Sequence, residues 1–338
     1  MDQSEVTIKD VAKRAGVSVS TVSRVLNGLD RVSEQTRKKV QKVIEELNYV
    51  PSSMAASMIR KQTNMLAVVV PVIQNPFYPA VIQGTFEIAK REGYHTFVIA
   101  TNEDEEAEAG YIEGFLNKNV DGIILIGAHK DPEFYRSIRK PVVLVDRYIE
   151  HSGLDGVVID NFRGAYEATI HLLENGHRRI AIIIGPQDFN DGKERYWGYR
   201  QALAEYGVKP EPMYHKQGNW FEDNGYRSTV ELMQLECPPT AIFAANNLIC
   251  QGTIKALRDL NITIGEDVSL VGFDENELAE FVRPRVTVVR RPMREMGTQA
   301  AELLIQNIKK KHISGPNPKK LTLGVELLKF DSVKNLNR

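Results

Sequence analysis

The stretch from Thr7 to Gly28, TIKDVAKRAGVSVSTVSRVLNG, constrains this chain more than any other. In its first half, Ile8, Val11, Ala12 and Ala15 recur at helical spacing on one face. After a tight Gly16-Val17-Ser18 turn, Val22, Val25 and Leu26 repeat the pattern. Ser20, Arg24 and Asn27 then line the opposite face. Two short helices packed through small apolar residues, with an Arg-bearing outer face, make a helix-turn-helix. Such a unit lays its second helix in the major groove of DNA.

Charge supports that reading. The 338 residues carry a net charge of −1, yet residues 1–61 hold eleven Lys/Arg against seven Asp/Glu, a net +4 that leaves −5 for the rest. A basic head on an acidic body suits phosphate contact by the head. With 42% hydrophobic and 26% charged residues, the chain has globular composition, and its length suggests two or three domains. No apolar run reaches the ~18 residues of a membrane span. The polar N-terminus lacks a signal-peptide core, so a cytoplasmic protein is expected. Cys237 and Cys250 form neither a disulfide framework nor a metal spacing, and are expected as reduced thiols.

A third helix is expected from Ser33 to Leu47, with Ser33 as N-cap and Val40, Val43, Ile44 and Leu47 as its apolar stripe. Pro51 disfavours helix at Val50 and ends it. The segment that follows, SSMAASMIRKQ, has good helix formers but little apolar surface, and reads as a hinge of marginal helicity. From Met65 onward, short β-branched runs (MLAVVVP, HTFVIAT, GIILIG, PVVLVD, RIAIIIG, AIFAAN, VSLVGF) look like strands buried on both faces. Helical patterns lie between them, at 79–92, 105–118, 196–206, 226–235 and 248–260. Repeated βα units imply parallel sheets with right-handed crossovers, here two Rossmann-like lobes.

Ligands of open α/β sheets bind beyond the carboxyl ends of the strands. Asn75-Pro76-Phe77, Asp146-Arg147, Asn246-Asn247 and Asp274 fall there, Arg195 is expected to start a helix after RIAIIIG, and Trp220 precedes another helix. An indole, a guanidinium and several amide and carboxylate groups suit a hydroxyl-rich small ligand such as a sugar. The acidic run Glu103–Glu108 is read as favouring the dipole at a helix N-terminus. Gly185 to Gly192-Lys193 has the wrong spacing for a phosphate loop, and Glu194 stands where a magnesium-holding hydroxyl is needed. The histidines show no metal spacing, and no nucleophile motif is present. No catalytic constellation, cofactor or metal is expected.

The motifs TIKDVAKRAGVSVSTVSRVLNG, VSEQTRKKVQKVIEELNYVPS, QNPFY, GHRRIAIIIG, ANN at 245–247, LVGFDE and VRRPMREMG resemble the lactose-repressor (LacI/GalR) family of bacterial transcriptional regulators. The resemblance implies an α/β chain: a three-helix DNA-binding headpiece (1–50), a hinge (51–62) and a two-lobed, periplasmic-binding-protein-like effector and dimerisation domain (63–338). The N-lobe would comprise 63–160 and 291–321 and the C-lobe 161–290 and 322–338, with three crossing strands near 159–163, 288–292 and 320–324. It implies that Val19, Ser20 and Arg24 touch base edges, where Arg reads guanine bidentately. Thr7, Ser18, Thr21, Ser23 and Asn27 join them at the DNA, with the hydroxyls of Thr21 and Ser23 read as phosphate contacts and that of Ser18 as either a helix cap or a phosphate contact. Met58 stands at the position of a minor-groove wedge, where Leu is usual. Phe77, Arg195, Trp220, Asn247 and Asp274 match effector-contacting positions, and Asp146 joins them as a strand-end residue. The implied partners are double-stranded operator DNA, a sugar-like effector and a second copy of the chain; the short tail DSVKNLNR has no heptads and favours a dimer. A protein co-regulator is compatible with the sequence. The alternatives weighed are a solute-binding protein and an α/β enzyme without a DNA role.

Overall fold

The computed structural model describes residues 6–26, 32–49, 62–275 and 283–337. Contacts divide the chain into two units, 1–63 and 64–338, each with its own core. The hinge segment, Asn27 and Met58 lie outside the described residues.

The first unit holds three short helices, α1 (Ile8–Ala15), α2 (Val19–Leu26) and α3 (Glu34–Glu46). Thr7 opens α1, and its backbone N–H donates to the Asp10 carboxylate at 2.9 Å, the reach-back half of a capping box. Gly16 ends α1 with φ +63°, a left-handed conformation that favours glycine. The chain can then reverse into α2 within three residues. Val11, Ala12, Ala15, Val22, Val25, Val40, Val43 and Tyr49 bury together as the core. Small side chains dominate it, so the helices pack closely despite their length.

The second unit alternates strands and helices. In chain order these are β1 (Met65–Val70), α4 (Phe77–Arg91), β2 (His95–Ala100), α5 (Glu105–Tyr111, continued by a π turn Ile112–Leu116), β3 (Gly122–Leu125), α6 (Pro132–Ser137), β4 (Val142–Val145) and β5 (Asp155–Ile159). Then follow α7 (Asn161–Glu174), β6 (Ile180–Ile184), α8 (Asn190–Glu205), β7 (His215–Gln217), α9 (Glu222–Met233), β8 (Ala241–Ala244), α10 (Asn247–Asp259), β9 (Ser269–Phe273) and β10 (Thr287–Arg290). The last are α11 (Met293–Lys310), β11 (Lys320–Leu323) and β12 (Glu326–Leu328). One sheet runs β11-β5-β4-β3-β1-β2 and the other β12-β10-β9-β8-β6-β7. Every pairing is parallel except β10 with β12. The inner strands are buried end to end because helices cover both faces.

The chain passes between the two sheets after β5, after β10 and between β11 and β12. The last passage lies at 324–325, because Leu321, Thr322 and Leu323 still pair with Val157, Val158 and Ile159 of β5. The expected lobe boundary at 321/322 therefore moves outward by two residues. No helix among the described residues is long and apolar enough to cross a membrane.

Helices α4 and α11 approach through glycine. A Cβ on Gly84 would lie 2.0 Å from the Arg294 carbonyl oxygen, and one on Gly297 would lie 2.0 Å from that of Val81. Backbone cannot yield as a side chain can, so Gly84→Ala should cost at least about 1–3 kcal/mol in denaturant unfolding. Gly110→Ala, where nothing lies within 4 Å, should be neutral or stabilise by about 0.4–1 kcal/mol. Equal effects of the two changes would contradict this packing.

The C-terminal segment is strapped over the second sheet. His177 is buried, with Nδ1 at 2.9 Å from the Thr240 hydroxyl and Nε2 at 3.1 Å from the Lys334 carbonyl. Burial pushes its pKa down to about 4. The unfolded chain therefore binds the proton more readily than the folded one between about pH 6.5 and 4. Stability should fall as pH drops through that window. His177→Gln should flatten the fall, and an imidazole titrating near its ordinary value by NMR would refute the assignment.

Candidate functional site

Two regions carry chemistry, one in each unit. In the first, Ser18 caps α2: its hydroxyl accepts from the Thr21 N–H at 3.2 Å and lies 2.8 Å from both the Ser20 and Thr21 hydroxyls. Val19, at 39% exposure, is an apolar side chain turned to solvent at the start of the helix. Ser20 and Arg24 are exposed four residues apart, so they share its outer face. Thr21 and Ser23 are half-buried on its flanks. The Thr7 hydroxyl is taken up locally, donating to Asp10 at 2.6 Å. Hydrogen bonds from Thr7 hold the Asp10 carboxyl below its ordinary pKa.

In the second unit a narrow polar cavity opens between the two lobes. Three buried arginines organise it, and each lies on a phenylalanine ring. Arg147 sits 4.8 Å from the Phe189 ring centre, Arg195 3.8 Å from Phe273, and Arg291 3.5 Å from Phe77. A guanidinium, weakly hydrated and planar, tolerates such burial better than an ammonium. Arg147 donates two hydrogen bonds to Glu103, at 2.6 and 2.8 Å, and stands 3.8 Å from Asp191. Burial works against its charge, but Glu103 and its other anionic neighbours outweigh this and hold it above the ordinary arginine value. Arg291 reaches Asp146 at 2.7 Å and Asp274 at 2.5 and 2.8 Å. Arg195 instead bonds neutral acceptors: the Asn161 side-chain oxygen at 2.9 Å and the Ala245 carbonyl at 2.7 Å. Burial, aided by the charge of Arg291, pushes its pKa down. Asp191 moves the opposite way, because burial raises its carboxyl despite the nearby Arg147.

The expected cleft residues separate into two groups. Asp146, Arg195 and Trp220 line the cavity. Phe77, Asn247 and Asp274 stand behind its wall. Phe77 carries the Arg291 guanidinium, Asn247 donates to the Asn75 side-chain oxygen at 2.8 Å, and Asp274 is held by Arg291. The Trp220 indole lies where a side chain on Gly185 would be: a Cβ there would meet the ring at 2.2 Å. Its carbonyl accepts from Asn246 at 2.9 Å. Arg195 lies in the second turn of α8 and not at its start, because the helix begins at Asn190.

Sequence reasoning missed Tyr78, Glu103, Asp191, Phe221 and Arg291, all of which line the cavity. One signal was present. Asp191 and Arg195 are four residues apart, so a helix begun early enough puts both on one face. The acidic run also divides. Asp104 caps α5, accepting from the Glu106 and Ala107 N–H groups. Glu108 is buried and accepts from Ala128 and His129 N–H groups at 2.7 and 3.3 Å, while Glu103 serves Arg147. The dipole reading therefore describes the middle of the run and fails at both ends.

Residues 7–52 match the family model described as bacterial regulatory proteins, lacI family, and residues 169–328 match the periplasmic binding protein-like domain. HTH-type transcriptional regulator DegA of Bacillus subtilis (strain 168) is 38% identical over 299 residues, covering 87% of this chain and 88% of DegA. HTH-type transcriptional repressor PurR of Vibrio atlanticus (strain LGP32) is 34% identical over 335 residues, covering 98% and 99%. The chain belongs to the LacI family. Among solved LacI-family structures, the lac repressor dimer bound to operator and the anti-inducer ONPF aligns at TM-score 0.81 and 25% identity, covering 98% of this chain and 100% of that one. The transcriptional regulator CelR in complex with cellobiose aligns at TM-score 0.72 and 33% identity, covering 97% and 99%. This LacI-family chain is a ligand-responsive, DNA-binding transcriptional regulator and not an enzyme.

Proposed function

We propose that this regulator is a repressor that binds a pseudo-palindromic operator as a homodimer, and that a sugar-like effector in the cleft between the lobes sets its operator affinity. It acts in the cytoplasm, at the nucleoid. Two symmetric heads require symmetric half-sites. Val19 and Arg24 are the base readers, with Ser20 between them, and Ser18, Thr21 and Ser23 meet phosphates. Thr7 belongs to the same DNA-facing set. Asn27 and Met58 complete the set in this reading. Phe77, Asn247 and Asp274 serve the cleft through Arg291 and Asn75, while Arg195 and Trp220 face the effector.

The observation that carries the effector reading is Arg195. It is buried, lines the cavity and has no carboxylate within salt-bridge distance among the described residues. Such a guanidinium offers its remaining donors to a ligand rich in oxygen acceptors. The cellobiose bound by CelR and the ribose bound by a LacI-family regulator of Enterococcus faecium belong to that chemical class. Effector and operator must alter each other's affinity by the same factor.

Arg24→Ala should reduce discrimination between operator and random DNA by about 1–3 kcal/mol, measured by competition binding. Undiminished discrimination would remove Arg24 from base readout. Arg195→Ala should leave operator affinity intact and abolish its response to effector, at a stability cost of about 1–3 kcal/mol from the acceptors left unpaired. A normal dose response would exclude Arg195 from the site.

A further inference from the structure

The six strands of the sheet β11-β5-β4-β3-β1-β2 run parallel, so they all begin at one edge, and that edge is basic. Lys319 precedes β11, Arg139 and Lys140 precede β4, and Lys118 precedes β3. Helices that lead from one parallel strand to the next return to this edge, so Lys90 lies in the last turn of α4, and Lys310 and Lys311 close α11. Contacts hold these ends together. Asn307, near the end of α11, donates to Asp155 at the start of β5 at 2.9 Å, and Lys309 meets Glu92 at the end of α4 at 2.8 Å. Lys140 is half-buried and the other six cations are exposed. None of the seven has an ion pair or a side-chain hydrogen bond among the described residues.

The neighbouring carboxylates are already occupied. Glu92 is taken by Lys309, Glu150 by Lys320 at 2.9 Å, Asp121 by the Asn64 N–H at 2.8 Å, and Asp155 by Asn307 and the Lys319 N–H. Helix dipoles do not account for so many cations. A helix C-terminus carries about half a negative charge, so the three helices ending here, α4, α5 with its π-turn continuation and α11, offer about 1.5 in all. Residues 62–338 carry a net −5, yet seven unpaired cations gather at one edge, where they repel one another. A polyanion relieves that repulsion.

The edge spans six strands, about 24 Å at the usual strand spacing. Phosphates recur about every 3.4 Å along each strand of a duplex, so the edge matches about seven base pairs. Six of the seven cations are lysine, a compact point charge that meets phosphate without arginine's base-reading fork. The chain arriving from the DNA-binding unit also enters the second unit at this edge. Asn64 precedes β1, and its carbonyl accepts from the His95 N–H at 2.8 Å. A duplex held by the first unit is therefore tethered to the basic edge.

We propose that the strand-start edge of the N-lobe binds the phosphate backbone of duplex DNA, adding sequence-independent affinity to the reading done by the helix-turn-helix. It touches no bases and leaves discrimination between sequences unchanged.

The test is fluorescence anisotropy of the full chain with operator and with random duplex of equal length, from about 50 to 200 mM salt. Combining Lys118→Gln, Lys310→Gln and Lys319→Gln should weaken both by the same factor, about tenfold, and make log K against log salt shallower by about two to three. These side chains are exposed and unpaired, so folding is unaffected. Arginine at the same three positions should keep the slope. Combining Lys193→Gln, Lys209→Gln and Lys329→Gln, an equal change of net charge on the other lobe, should leave it unaltered. An undiminished slope in the first variant overturns the proposal, as does an equal fall in the other-lobe variant. Weakened binding to operator alone overturns it too, because phosphate contacts act on every sequence. A first variant that binds DNA normally but loses affinity for phosphatidylserine vesicles assigns the edge to a membrane surface and likewise overturns it.

Discussion

The burial of Arg291 between Asp146 and Asp274 is the constraint on which the second unit turns. A guanidinium in a protein interior is tolerated only when its charge is met and its face is covered. Here one carboxylate comes from the end of β4, the other from the end of β9, and the covering ring is Phe77 at the start of α4. Arg291 itself follows β10, where the chain passes from one sheet to the other. A single side chain thus ties both lobes and the passage between them into one electrostatic unit.

The other contacts across the cleft follow the same logic. Asn190, on the second lobe, accepts from the Tyr148 N–H at 2.8 Å and donates to the Asp146 carbonyl at 3.1 Å. Lys130 meets Asp188 at the mouth. Such pairs favour a closed arrangement with modest strength at the rim and greater strength inside, where water does not compete. A ligand can shift the closure equilibrium only by interacting differently with its two sides. The groups able to do so are those left with open valence, Arg195, Asp191 and the Trp220–Phe221 face. The ion-paired inner residues Arg291, Asp146 and Asp274 hold the lobes and shape the space.

Glycine has a second structural role of the same kind. Helices α4 and α11 meet at Gly84 and Gly297, and α9 and α10 meet at Gly225 and Gly252, whose missing side chains let backbone touch backbone. Close helix packing brings the ends of the strands near one another. Cleft geometry therefore depends on residues that never face a ligand.

The sequence by itself determined the helix-turn-helix, the βα alternation and seven of the twelve strands described. These rest on local periodicity and capping, which a few neighbouring residues specify. It also marked the strand ends as the place for ligand chemistry, and of the residues named there Asp146, Arg195 and Trp220 line the cavity. Tertiary structure alone decided which polar residues face the cavity and which face each other. The start of α8 shows why. Its first two turns bury Asp191, Gly192 and Arg195, none of which brings an apolar side chain, so its apolar period begins only at Tyr196 and the helix looks shorter than it is. Glu103 and Glu108 belong to one acidic run, yet one grips Arg147 and the other anchors the loop at Ala128, because their partners come from β-strand ends 20 to 44 residues away. Charge pairing across such separations leaves no periodic trace in a sequence; only the folded sheets bring the partners within reach.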